Sequence, residues 1–182
     1  MLLWLVLVAA AEDRARLENL KVTASSEQIT VSAVLVNGFD EELLERLASG
    51  LPTELTYRFS LYRDRKRWWD SELAKSTYQV IAMYNAVSRE YLVNYKLDGK
   101  LTETRVVRSL GELERAMTVL EKVPIFSMAT MKPKNQTAVQ RARVMVGGRV
   151  ELGSGTWLFV FPTTRTTDGV RSRKFRMDGD QE

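Results

Sequence analysis

Leu55-Thr56-Tyr57-Arg58-Phe59-Ser60-Leu61 alternates apolar and polar residues without a break. Successive side chains of a strand point to opposite faces, so Leu55, Tyr57, Phe59 and Leu61 share one face while Thr56, Arg58 and Ser60 share the other. That is the pattern of a half-buried strand in an antiparallel sheet. Working outward, the same reading recurs along the chain. Leu20 to Thr23 and Ile29 to Val36 form a first pair around Ser25-Ser26-Glu27. Leu73 to Tyr84 and Glu90 to Leu97 flank the polar turn Asn85-Ala86-Val87-Ser88-Arg89. Asp98-Gly99 then separates Leu97 from Leu101 to Val107, and an Asp-Gly dipeptide between alternating runs is the strongest short hairpin signal. Ala138 to Val146 and Thr156 to Phe161 are expected to complete about eight strands.

Two segments switch to helical spacing. Asp40 is placed to cap a helix over Glu41 to Ser49, with acids in its first turn, Leu43, Leu44 and Leu47 on one side, Gly50 at its exit and Pro52 beyond. Ser109, followed three positions later by Glu112, is a capping box for a helix carrying Leu110, Leu113, Met117 and Leu120 and stopping before Pro124. The expected fold is therefore mainly β: an antiparallel β-sandwich, immunoglobulin-like or C2-like, of about eight strands with two covering α-helices. Ser127 to Thr137 is expected to be irregular, and it carries Asn135-Gln136-Thr137, a glycosylation sequon in form. Gly147-Gly148 and the glycines to Gly155 read as turn residues, because no Gly-Lys-Ser/Thr and no helix follows as a phosphate loop requires.

Composition excludes whole classes of chemistry. The 182 residues contain no cysteine and no histidine, which removes disulfides, thiolate nucleophiles, the usual zinc and haem ligands and every His-containing triad. Hydrophobic residues at 45% and charged residues at 27% suit a globular domain able to bury a core. A formal net charge of +4 permits an anionic partner without demanding one.

Leu2 to Ala11 is an uncharged apolar run too short to span a bilayer, and it ends in Ala9-Ala10-Ala11 ahead of Glu12-Asp13-Arg14. A secretory signal has this length and ending, so cleavage is expected after Ala11. The organisation expected is a signal peptide over residues 1–11, a β-sandwich domain over 12–162 and a flexible polar tail over 163–182, with no membrane span left after cleavage.

The most distinctive stretch is Tyr62-Arg63-Asp64-Arg65-Lys66-Arg67-Trp68-Trp69-Asp70, with four cations and two tryptophans between two strands. A hairpin presenting Arg63, Arg65, Lys66, Arg67, Trp68 and Trp69 would suit an envelope protein or an anionic lipid or glycan surface. An exported chain meets little nucleic acid, so no nucleic-acid partner is expected. No metal site and no cofactor is expected, because Asp178-Gly179-Asp180 lacks the remaining ligands of a calcium loop. No pair of acids stands out as a glycosidase would require, and Ser71/Lys75 or Lys75/Ser76 is too common a pairing to mark a catalytic dyad. The function expected is a non-enzymatic binding module, the alternatives being a carboxylate-dependent hydrolase of an envelope glycan or a lipid carrier.

The stretch from Gly50 to Val93 resembles the family called domain of unknown function 4390, exported proteins of bacteria. The resemblance is carried by the tyrosine-bearing strand Tyr57 to Leu61, the Arg63-to-Trp69 element, Tyr78-Gln79-Val80, and the turn from Tyr84 through Arg89 to Val93. The start of the Ser109-to-Leu113 helix also fits, and the likeness runs from about Leu20 to Phe161. It implies an exported envelope domain with no assigned activity, of a kind often encoded near envelope-sensing kinases.

Overall fold

The computed structural model describes residues 14–64, 71–157 and 161–177. In chain order these form β1 (Arg16–Ala24), β2 (Gln28–Val36), α1 (Glu41–Ala48), β3 (Thr53–Arg63), β4 (Ser71–Asn85), β5 (Glu90–Leu97) and β6 (Lys100–Val107). There follow α2 (Leu110–Thr118), β7 (Val119–Ser127), α3 (Pro133–Arg141), β8 (Val144–Trp157), β9 (Phe161–Thr166) and β10 (Val170–Arg171). Two antiparallel sheets pack as a sandwich: β1-β2-β7 on one side and β10-β8-β3-β4-β5-β6 on the other, with β9 also paired to β8.

β3 lies in the middle of the larger sheet, between β4 and β8, and its alternation is realised fully: Leu55, Tyr57, Phe59 and Leu61 are buried. Ile29, Val31, Ala33 and Leu35 of β2 face them across the core. The helix signals hold as well. The Asp40 carboxylate accepts from Leu43 N–H at 3.1 Å, and Gly50 ends α1 at φ 76°, a left-handed exit that glycine adopts at least cost. Asp98 and Gly99 both take positive φ, 48° and 80°, as the tight turn between β5 and β6 demands.

Four expectations are corrected. The helix from Leu110 ends at Thr118, and the chain passes straight into β7, where Leu120 is a buried strand residue and Pro124 sits on the outer strand of the smaller sheet, a position that needs no outward N–H. Ser127 to Thr137 is not irregular: a turn of 3₁₀ helix over Met128–Thr130 leads to α3, so Ala138 to Arg141 is helical and the strand begins at Val144. Gln136 organises this segment by donating to the carbonyls of Met128 and Met131 at 2.7 and 2.8 Å. The Asn135 amide nitrogen, the atom a glycan would take, donates to Leu73 C=O at 2.6 Å.

The glycines at 147 and 148 lie inside β8 rather than at a turn, and there the space a Cβ would need is filled. A methyl at Gly148 would come within 3.0 Å of Leu17 and 3.1 Å of the Phe59 ring. Gly148→Ala is therefore expected to lower stability by about 1–3 kcal/mol through overpacking, read as a fall in urea midpoint at constant m-value. An unchanged midpoint would mean that Leu17 simply moves aside.

The stretch expected as a polar tail after Pro162 supplies β9 and β10 up to Arg171, paired with β8 through the backbone, with bonds to the hydroxyls of Thr167 and Ser172 added. Thr167 N–H donates to Val150 C=O while Val150 N–H donates to Thr167 Oγ1, both at 2.9 Å. Ser172 repeats the exchange with Val146 at 2.8 and 3.0 Å. Phe175, buried, then bridges to Val144. Residues 1–11, expected as a signal, lie outside the described residues, and no helix among the described residues is long and apolar enough to cross a membrane.

Candidate functional site

Of the six residues expected to form the binding hairpin, Arg63 lies within the described residues; Arg65, Lys66, Arg67, Trp68 and Trp69 lie outside them. Arg63 is exposed at the end of β3, in register with Ser71 on one side and Val144 on the other. Asp64 N–H donates to Arg143 C=O at 2.9 Å, and its half-buried carboxylate meets Lys174 Nζ at 3.0 Å. These bonds tie the hairpin to the entry of β8 and to the C-terminal segment.

The consequence is a crowding of positive charge. The Val144–Phe175 bridge sets Arg173, Lys174 and Arg176 beside the hairpin base, and the Arg171 guanidinium lies 5.5 Å from the centre of the Tyr62 ring. On the outward face of the same sheet, Arg58, Lys75 and Arg149 surround the side-chain-free floor at Gly147, in a depression of about 530 Å³. Glu151 pairs with Arg58 and Glu72 with Lys75, at 3.0 Å for the second, so the acids here offset only part of the charge. Lys75 is paired with Glu72, and Ser76 Oγ donates to Asp98 at 3.1 Å, so these two neighbours are each engaged elsewhere.

A second concavity, about 610 Å³, opens between the sheets where β5 and β6 face α2 and β7. Its floor is made by Tyr78 and Tyr95, and the Tyr95 hydroxyl donates to Ala116 C=O at 3.1 Å. Its rim carries Glu103, Arg105, Glu112, Arg115, Glu121 and Lys122. The Arg105 guanidinium bonded to Glu103 holds that carboxyl below the usual carboxylate range, and the N–H groups of Arg108 and Ser109 do the same for Glu112. A general acid needs the opposite shift. An acyl chain, in turn, would meet a charged rim rather than a continuous apolar wall. Among the described residues no cluster of acids is arranged to hold a metal ion.

The family model described as domain of unknown function (DUF4390) matches residues 12–146. The chain belongs to this family. No curated protein and no solved structure matches it. The DUF4390 match takes in β1 to β7, all three helices and the first residues of β8; the cationic segment Arg171 to Arg176 lies past its end. That segment is the part of the site that sequence reading missed in this DUF4390 protein. Its signal was present in Arg171-Ser172-Arg173-Lys174-Phe175-Arg176, where one aromatic residue among cations marks an anchor, but a polar run reads as solvated chain until its hydroxyls are seen bonded to β8.

Proposed function

We propose that this DUF4390 domain is an exported, non-enzymatic envelope module that docks on an anionic surface through the Arg63-to-Trp69 hairpin and the cations gathered at its base. The observation that carries the reading is the convergence of Arg63, Arg171, Arg173, Lys174 and Arg176 on one end of the larger sheet, with Asp64 half-buried among them. Such a pole attracts phosphate-bearing headgroups over roughly a Debye length, about 8 Å at physiological salt. The tryptophans at 68 and 69 add the amphipathic rings that favour a headgroup interface. Export rests on the apolar run Leu2 to Ala11 with its alanine ending, and an intact mass lacking residues 1–11 after expression is the matching test.

The binding test is co-sedimentation of the full chain with vesicles of phosphatidylcholine alone or mixed with phosphatidylglycerol. Selective retention by the anionic vesicles, weakened by salt, is expected. Arg171→Glu/Arg173→Glu should reduce it at least about 30-fold, counting about 1 kcal/mol for each cation removed and leaving the repulsion of the two new carboxylates to add to it. Equal binding to both vesicle types, or a charge-reversed variant that binds as well as the parent, defeats the surface reading. Partner capture from envelope extract that is lost in Trp68→Ala/Trp69→Ala would then assign the hairpin to a protein.

A further inference from the structure

We propose that β6 is a self-complementary edge through which two copies of this chain pair, continuing the larger sheet from one protomer into its partner. β6 ends the strand order of that sheet, and every residue from Lys100 to Val106 is exposed, including Leu101 at 60% and Val106 at 56%. An edge strand offers a row of unpaired N–H and C=O groups, and proteins ordinarily blunt it with proline, a covering element or a bare charge. β6 has no proline; its one bulge falls at Thr102, against Tyr95 and Lys96, and from Glu103 onward the strand is regular, with its charges in an order that invites a copy of itself.

Glu103 lies opposite the buried Tyr95 and Arg105 opposite the buried Val93, so both stand on the core-side face and overhang the groove; Thr104, opposite Asn94, stands on the other face. In a two-fold antiparallel pairing centred on Thr104, Thr104 meets its own copy and each Glu103 meets the other protomer's Arg105. Opposite charges and paired threonines are favourable cross-strand neighbours. A slip of the centre by one residue puts Glu103 against Glu103 or Arg105 against Arg105, like charges directly opposed. The charge order therefore admits one register and rejects its neighbours.

The outer face agrees. Met83, Leu92 and Val106 form one cross-strand row that runs to the edge, with Met83 still 38% exposed, so a strand laid against β6 shields the end of that row from water. The strand is held ready for this. The Asp98 carboxylate at its turn accepts from Thr77 N–H at 2.8 Å, fixing the β5–β6 hairpin to β4. The contact is isologous, as a two-fold dimer requires, and it closes on itself without propagating.

The test is sedimentation equilibrium of the full chain over a concentration series. The parent should pass reversibly from monomer to dimer. Glu103→Arg and Arg105→Glu, each confirmed folded by circular dichroism, should weaken self-association at least tenfold, because each sets like charges across the dyad. An equimolar mixture of these two variants should recover association. In a mixed dimer one protomer carries arginine at both positions and the other carries glutamate at both, so opposite charges meet on each side of the dyad. A parent that is monomeric throughout overturns the proposal, as do single variants that associate like the parent, or a mixture that associates no better than either variant alone.

Discussion

Phe59→Ala is expected to lower the free energy of unfolding by about 3–5 kcal/mol, a large share of the roughly 5–15 kcal/mol typical of a domain. Phe59 is 1% exposed and sits in the strand with neighbours on both sides. Its ring lies over Gly148, close enough that a methyl there would touch it at 3.1 Å, and Leu17 of the smaller sheet closes the same spot. Truncation therefore opens a void between the two layers that rigid strands cannot collapse to fill. Urea unfolding would show it as a lowered midpoint. The local cause can be separated from general damage: in the Phe59→Ala background, Gly148→Ala should cost less than it does in the parent, because its methyl now enters vacated space. Equal costs in the two backgrounds would show that the ring and the glycine are not packed as described.

The second large effect concerns Tyr57. Its hydroxyl, fully buried, donates to Met117 C=O at 2.7 Å and so satisfies one of the carbonyls left unpaired where α2 ends. Tyr57→Phe keeps the ring and removes the donor, stranding that carbonyl in the core, for an expected loss of about 1–3 kcal/mol. The same burial predicts an alkaline transition. Burial pushes the Tyr57 and Tyr95 hydroxyls up, and pushes Tyr78 up to about 12, against an ordinary value near 10. A group whose folded pKa is raised contributes fully below its unfolded pKa and loses that contribution as pH climbs toward the folded value. Stability should hold steady across neutrality, where the chain has no histidine or cysteine to titrate, and fall above about pH 10. Each tyrosine that stays neutral only in the fold adds about 1.4 kcal/mol per pH unit to the slope. The Tyr57→Phe variant should start lower and fall less steeply. Parallel curves for parent and variant would remove Tyr57 as the cause.

What could be read in advance followed the strength of local patterning. β3, β4 and β5, the Asp98-Gly99 turn and both helix caps are written in alternation, dipeptide and cap residues, each a short-range signal with one physical meaning. The misses have specific causes. Val119 to Val123 continues the apolar content of α2, so nothing in the period marks where helix becomes strand; the change is made by pairing with β2, including Lys122 N–H donating to Ser32 Oγ at 2.9 Å. α3 has no side-chain cap, so only Pro133 announced it. β10 is held by hydroxyl and backbone bonds to β8, which leave no hydrophobic period to detect. For the candidate site, the cations were visible one by one; that Arg63 and Lys174 share one end of the sheet follows only from the placement of Val144 between Arg63 and Phe175.

The position of β8 beside β3 also sets an order of events during synthesis. β3 to β6 form a meander of neighbouring hairpins that can pair as they emerge, but Leu55 finds its second neighbour only at Leu152. Until those late residues leave the ribosome, the central strand of the larger sheet has one flank bare and lacks its close neighbour at Gly148. Contacts so distant in sequence are slow to form and come at the end. The larger sheet thus stays incomplete at its centre until most of the chain has been made.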